Sequence, residues 1–208
     1  RQIAPRATIL PVRVLGPDGM GDVASVAAGI QWAMAKGARI INLSLGSEDS
    51  LKAVEEVIKQ ATAKGIFVVA STGNTGDKNV TWPASSAAEA KNRLRISVTS
   101  VDENDKKSTF ATYGRAVELS APGELVYGPA PELNMAAWSG TSQAAPMASG
   151  ALALALGQTL VVPSLNLVEE LRVRASDVYN NSLNEAYKDG LGKGRLNLEE
   201  FLRNVVKY

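Results

Sequence analysis

The chain contains no histidine and no cysteine. Without cysteine there is no disulfide, no thiolate nucleophile and no Cys-based zinc site, and the redox compartment stays open. Without histidine, any chemistry that uses imidazole as base or ligand cannot be completed within these residues. Neither charge sign prevails: 22 Lys and Arg stand against 21 Asp and Glu, a formal net charge of +1. That balance offers no field to nucleic acid or an acidic membrane, so neither is expected as a partner. No apolar run approaches the roughly 18 residues that span a bilayer. The opening residues, Arg1-Gln2-Ile3-Ala4-Pro5-Arg6, lack the apolar stretch of a signal peptide. They also lack Met, and a processed or truncated product is expected. What remains is ordinary globular material, 208 residues at 45% hydrophobic and 21% charged, sufficient for one well-packed domain.

Along the chain, residues 7–15 form a short β-branched apolar run, predicted as a buried strand despite Pro11. A glycine-rich turn follows, then a helix from Asp22 or Ser25 to about Lys36 with Val26, Ile30, Ala33 and Met34 on one face. Residues 39–45 read as a second strand, 51–64 as a second helix and 66–71 as a third strand, with Gly37 and Gly65 stopping the helices. Strand and helix alternating in this way indicate βαβ units and a mostly parallel sheet flanked by helices, an α/β fold. Residues 73–94 are a long polar stretch around Trp82-Pro83, longer than a simple connection and so expected to be functional. Two more strands are expected over 94–101 and 115–120. A helix of small apolar residues over 139–156 has no polar face and must be buried. Amphipathic helices over about 164–176 and 197–206 complete one domain, residues 1–208.

Ligands of an open parallel sheet gather at the carboxyl ends of its strands. Two segments there compete. Gly19-Met20-Gly21-Asp22-Val23-Ala24 fits G-x-G-x-x-A between strand and helix, the form of a pyrophosphate turn. A dinucleotide site also wants an acid at the end of the next strand, where Asn42 and Ser44 stand instead. A plain glycine-rich connection accounts for the pattern as well. The second segment, Ser139-Gly140-Thr141-Ser142-Gln143-Ala144-Ala145-Pro146, sets a hydroxyl in the first turn of a buried helix, where the helix field favours an anion. Taken alone, Ser139, Thr141 or Ser142 could each serve as an N-cap.

Gly140-Thr141-Ser142-x-x-x-Pro146, preceded by Val69-Ala70-Ser71-Thr72-Gly73-Asn74 and Ile40-Ile41-Asn42-Leu43-Ser44-Leu45-Gly46, resembles the subtilisin-like serine proteases, the subtilases. Further matches run through Val12-Arg13-Val14-Leu15, Gly29-Ile30-Gln31-Trp32-Ala33, Trp82-Pro83-Ala84, Ser120-Ala121-Pro122-Gly123 and Gly192-Lys193-Gly194-Arg195-Leu196-Asn197, in the family's order over nearly the whole chain.

The resemblance implies a serine endopeptidase acting on polypeptides, with Ser142 as nucleophile and Asn74 as the oxyanion-hole amide. Gly19, Met20 and Gly21, with Ser44, Leu45 and Gly46, would be the two extended segments that sandwich substrate backbone. Ala70, Ser71, Thr72 and Gly73 would wall a small apolar specificity pocket, which favours a large apolar residue before the cleaved bond. The family's order of Asp, His, Ser places the His roughly 15 residues before Arg1 and the Asp roughly 47 before it. An N-terminal fragment of the same protease is therefore the expected partner, supplying both groups and a central strand. The alternative is an inactive subtilase-like domain that only binds peptides. Gln143 stands where the family usually has Met. Glu118 matches one carboxylate of a weak cation site, but Ala116 lacks its companion; no metal ligand is assigned, and calcium would be drawn from residues outside this chain. Secretion is the family's habit.

Overall fold

A computed structural model describes residues 3–87 and 94–207; residues 88–93, part of the expected polar stretch, lie outside the described residues. Helix α1, Val23–Ala35, begins where the Asp22 carboxylate accepts the Ser25 N–H at 2.7 Å, a bond that holds this carboxyl below its usual range. Gly37, at φ 80°, turns the chain out of the helix, as Gly65, also at 80°, does for α2, Lys52–Ala63. Between and after these helices run β1, Ile40–Leu43, and β2, Phe67–Ser71. Strand β3, Arg95–Val101, and β4, Leu119–Pro122, complete a four-stranded sheet in the order β1-β2-β3-β4 with every pair parallel.

The sheet is covered on both faces, so its strands read as continuous apolar runs. Alternation along β2 divides the core. Val68 and Ala70 join Val26, Ile30, Val54 and Ile58 under α1 and α2, while Phe67 and Val69 face the other side. That other side is covered by α3, Thr141–Leu156, whose Ala144, Ala145, Ala148, Ala151 and Ala155 are fully buried. Residues this small let α3 lie close against all four strands. Helices α4, Leu167–Val173, and α5, Leu198–Val205, close the layer through Leu171, Phe201 and Val205. Among the described residues no helix is long and apolar enough to cross a membrane.

Four differences from the sequence reading have physical causes. Residues 7–15 form no strand and are mostly exposed, resting on α1 where Val12 and Val14 meet Gly29. β1 is the edge strand, and no described strand lies beside this segment to make a ladder with it. β4 begins later than expected because the residues before it are spent on turns, with Val117 N–H bonded to Gly114 C=O. α4 is shorter than the amphipathic run, because residues 164–166 form a single tight turn and Ser176 pairs with Arg195. A hairpin of β5, Val126–Pro129, and β6, Met135–Trp138, was not anticipated at all.

Candidate active site

The chain leaves β1 at Ser44 and β2 at Thr72 on the same end of the sheet, and the first turn of α3 is set against both. Gly140, at the start of α3, lies close beside both Asn74 and Ser142. A Cβ on Gly140 would stand 2.6 Å from Gln143 Oε1, 3.5 Å from Asn74 Nδ2 and 3.6 Å from the Ser142 nitrogen. Two N–H donors therefore converge on one small region beside Ser142. Neither is consumed by a described hydrogen bond: the Ser142 N–H is a first-turn amide, and Asn74 is an exposed residue.

Thr141 is what aims Asn74. Its N–H and its hydroxyl both donate to Asn74 Oδ1, at 2.9 and 3.0 Å, and the hydroxyl also lies 3.2 Å from both the N and the O of Gly73. With Oδ1 held, the amide nitrogen must face the other way. None of the three hydroxyls expected as alternative caps acts as one: α3 starts from Gly140 with no side-chain cap, and Ser139 Oγ accepts the Leu125 N–H instead.

Ser142 is fixed through its carbonyl. An α-helical residue at 146 would donate its N–H to that oxygen, but Pro146 has none. The Ser44 hydroxyl takes the vacant place at 2.8 Å, and Ser142 Oγ donates back to the Ser44 carbonyl at 3.3 Å. A chain of bonds continues from Ser44 Oγ to Asn42 Nδ2 at 2.8 Å and from Asn42 Oδ1 to Ser149 Oγ at 2.9 Å. A carbonyl is no base, and no other described side chain is bonded to the Ser142 hydroxyl.

The remaining expected residues divide. Ser44, Gly73 and Asn74 gather around Ser142. Gly46 packs on Thr81 and Trp82, with Ser47 and Trp82 bonded N–H to C=O in both directions at 2.9 and 2.8 Å. The Trp82–Pro83 bond is cis. Ala70, Ser71 and Thr72 are buried at the end of β2, while Leu45 is half-buried against the core of α1 and α2. Gly19, Met20 and Gly21 form a separate turn closed by Gly16 N–H on Met20 C=O at 2.7 Å. A Cβ on Gly21 would collide with the Val14 carbonyl, so close backbone approach accounts for the second glycine and no phosphate is needed.

Residues 1–165 match the family described as the subtilase family, peptidase class S8. The chain belongs to the subtilase family. Subtilisin BL of Lederbergia lenta is 32% identical over 201 residues, covering 97% of this chain and 70% of that protein. Thermitase of Thermoactinomyces vulgaris is 40% identical over 155 residues, 74% of this chain and 53% of its own length. Among solved structures, the patellamide maturation protease PatA superposes with a TM-score of 0.80 at 27% identity, covering 96% of this chain and 75% of that one. The matches thus cover from 40% to 70% of the length of these curated relatives, about half in several of them.

Glu118 Oε1 faces the Arg172 guanidinium at 3.3 Å and Oε2 accepts the Ser97 N–H at 3.1 Å, so a protein cation stands at the carboxylate.

Proposed function

We propose that this subtilase chain carries the nucleophile and oxyanion site of a serine endopeptidase. The convergence of the Ser142 N–H and Asn74 Nδ2 beside the Ser142 hydroxyl is the observation that supports it most. Ser142 Oγ attacks a peptide carbonyl, and the oxygen that gains charge is received by the two donors. Collapse expels the amine and leaves an acyl-serine, which water then hydrolyses. Donors fixed in advance where charge develops are worth far more than the same donors in water.

The Ser142 proton needs a base, and a serine hydroxyl is a weak nucleophile without one. The base and the acid that orients it come from a polypeptide segment outside residues 1–208, which also pairs with β1. The exposed edge of that strand and residues 7–15, which form no strand, support this, as does the share of its relatives that the chain spans. The substrate is a polypeptide with a large apolar residue before the cleaved bond. Action outside the cell belongs to the same reading, and calcium, if used, is bound by residues beyond this chain.

A second reading, peptide binding without cleavage, is favoured by one observation: the Ser142 hydroxyl is bonded to a carbonyl rather than to a base. Treating the intact protein with a fluorophosphonate, then locating the adduct by mass spectrometry, separates the two. Rapid labelling at Ser142, with loss of peptide hydrolysis in Ser142→Ala, is expected. An intact protein that binds the peptide but neither labels nor cleaves it would establish the binding reading instead.

A further inference from the structure

Asn74 is gripped on both flanks by a residue that no motif picks out. Thr112 lies in the connection between β3 and β4 and is fully buried. Its N–H donates to the Gly73 carbonyl at 3.0 Å, and its Oγ1 accepts the Thr75 N–H at 3.1 Å. Those two groups belong to the peptide planes immediately before and after the Asn74 Cα, so one residue sets both. Thr112 is itself immobilised, because its carbonyl accepts from Thr99 Oγ1 of β3 at 2.7 Å and from Thr72 Oγ1, just past the end of β2, at 3.1 Å. Thr112 Oγ1 also lies 2.9 Å from Thr75 Oγ1. The Thr75 proton is engaged with Asp77 Oδ1 at 2.9 Å, so the Thr112 hydroxyl is the donor in that pair. Space is equally tight: a Cβ on Gly73, at φ 107°, would meet Thr112 Oγ1 at 3.2 Å.

We propose that Thr112 is a positioning residue for catalysis, holding the Asn74 backbone so that Nδ2 meets the developing oxyanion. Thr141 orients the Asn74 side chain, and Thr112 places the Cα from which that side chain springs. The proposal rests on the reading of Asn74 as an oxyanion donor. A donor of this kind works only within hydrogen-bond reach of the charged oxygen, and a displacement of 1 Å can cost on the order of 10²-fold in rate.

The test is steady-state peptide hydrolysis by the intact protein carrying Thr112→Val, Thr112→Ser, Asn74→Ala and the Thr112→Val/Asn74→Ala pair. Thr112→Val should lower kcat by about tenfold to 10²-fold with KM within about twofold, and Thr112→Ser should restore most of it. In the Asn74→Ala background, Thr112→Val should cost less than about twofold more, because its effect passes through the amide already removed. If Asn74→Ala lowers kcat while Thr112→Val changes only thermal stability, or if the two losses multiply independently, this proposal is overturned and the oxyanion reading stands. If Asn74→Ala itself leaves kcat unchanged, that reading fails and the proposal with it. Should Thr112→Val not fold, Thr112→Ala is measured in its place; if that also unfolds, the residue is structural and the proposal falls.

Discussion

At the scale of single residues, the site depends on a substitution of partners around one carbonyl. Pro146 withdraws the N–H that would have bonded Ser142 C=O, and Ser44 supplies a hydroxyl from a different strand end. Ser142 is thereby tied to the chain just past β1 as well as to its own helix. Ser44→Ala leaves the carbonyl without that donor in a half-buried place, a loss of about 1 kcal/mol. Urea unfolding of the intact protein should show that loss, and kcat should fall several-fold with little change in KM. The control is Ser44→Ala combined with Pro146→Ala. A restored N–H at 146 can bond Ser142 C=O within the helix, so stability should return toward the parent value while kcat does not. If the double variant is no more stable than Ser44→Ala, the exchange of partners is not what fixes this carbonyl.

At the scale of elements, the segment after β2 is anchored by a buried charge. Arg95, 3% exposed at the start of β3, donates to both Glu55 oxygens from its two terminal nitrogens at 2.6 and 3.2 Å, and to Ser86 Oγ at 2.7 Å and Pro83 C=O at 3.3 Å. Helix α2, strand β3 and the turn that packs on Gly46 are thus joined at one guanidinium. Removing one partner of a buried pair is costlier than removing both, because the other charge is left uncompensated. Glu55→Gln should therefore lose about 3 kcal/mol in urea unfolding, and Glu55→Leu with Arg95→Met should lose less. Equal losses in the two would mean that the pair acts only through packing. The elements on either side of this junction were legible in sequence where a periodic apolar face met a defined stop, as in α1 with Asp22 before it and Gly37 after. The β5–β6 hairpin was not, because Val126-Tyr127-Gly128-Pro129 and Met135-Ala136-Ala137-Trp138 show no alternation of apolar and polar residues, and Gly128-Pro129 marks a turn where a strand runs. Residues 7–15 misled in the other direction, since β-branched composition supplies a tendency to extend but not a neighbour to pair with. The resemblance to the subtilases pointed to Ser142, Asn74 and Ser44, which the fold brings together. Thr112 carried no signal, being one threonine in a polar connection whose contacts are all made 37 or more residues away in sequence or by a strand it only passes.

At the scale of the whole molecule, the two helical layers are joined through the sheet, and the joint at Glu118 sets two electrostatic effects against each other. Glu118 stands just before β4, bonded to the Ser97 N–H beside it in β3 and to Arg172 of α4 beneath. Burial pushes its carboxyl above the usual range; the Arg172 charge and the Ser97 N–H pull it down, Arg95 adds a weaker pull, and Glu169 raises it slightly. Arg172 is an imperfect partner, shared with Glu169 at 3.3 Å and with its own buried Nε unbonded. Desolvation therefore prevails, and the sign of the pH dependence follows. A carboxyl raised in the folded state binds its proton more tightly there than in the unfolded chain. Its contribution to stability is complete below the ordinary carboxyl value of 4.5 and is lost as pH rises through the folded value. Glu118→Gln keeps an acceptor for Ser97 but cannot ionise, so it escapes that loss. Melting temperatures of the parent and Glu118→Gln, taken from pH 4 to about 7, should diverge in favour of the variant as pH rises. A divergence in favour of the parent would mean that the Arg172 attraction exceeds the desolvation of Glu118, and that the joint between β4 and α4 is held by charge instead of in spite of it.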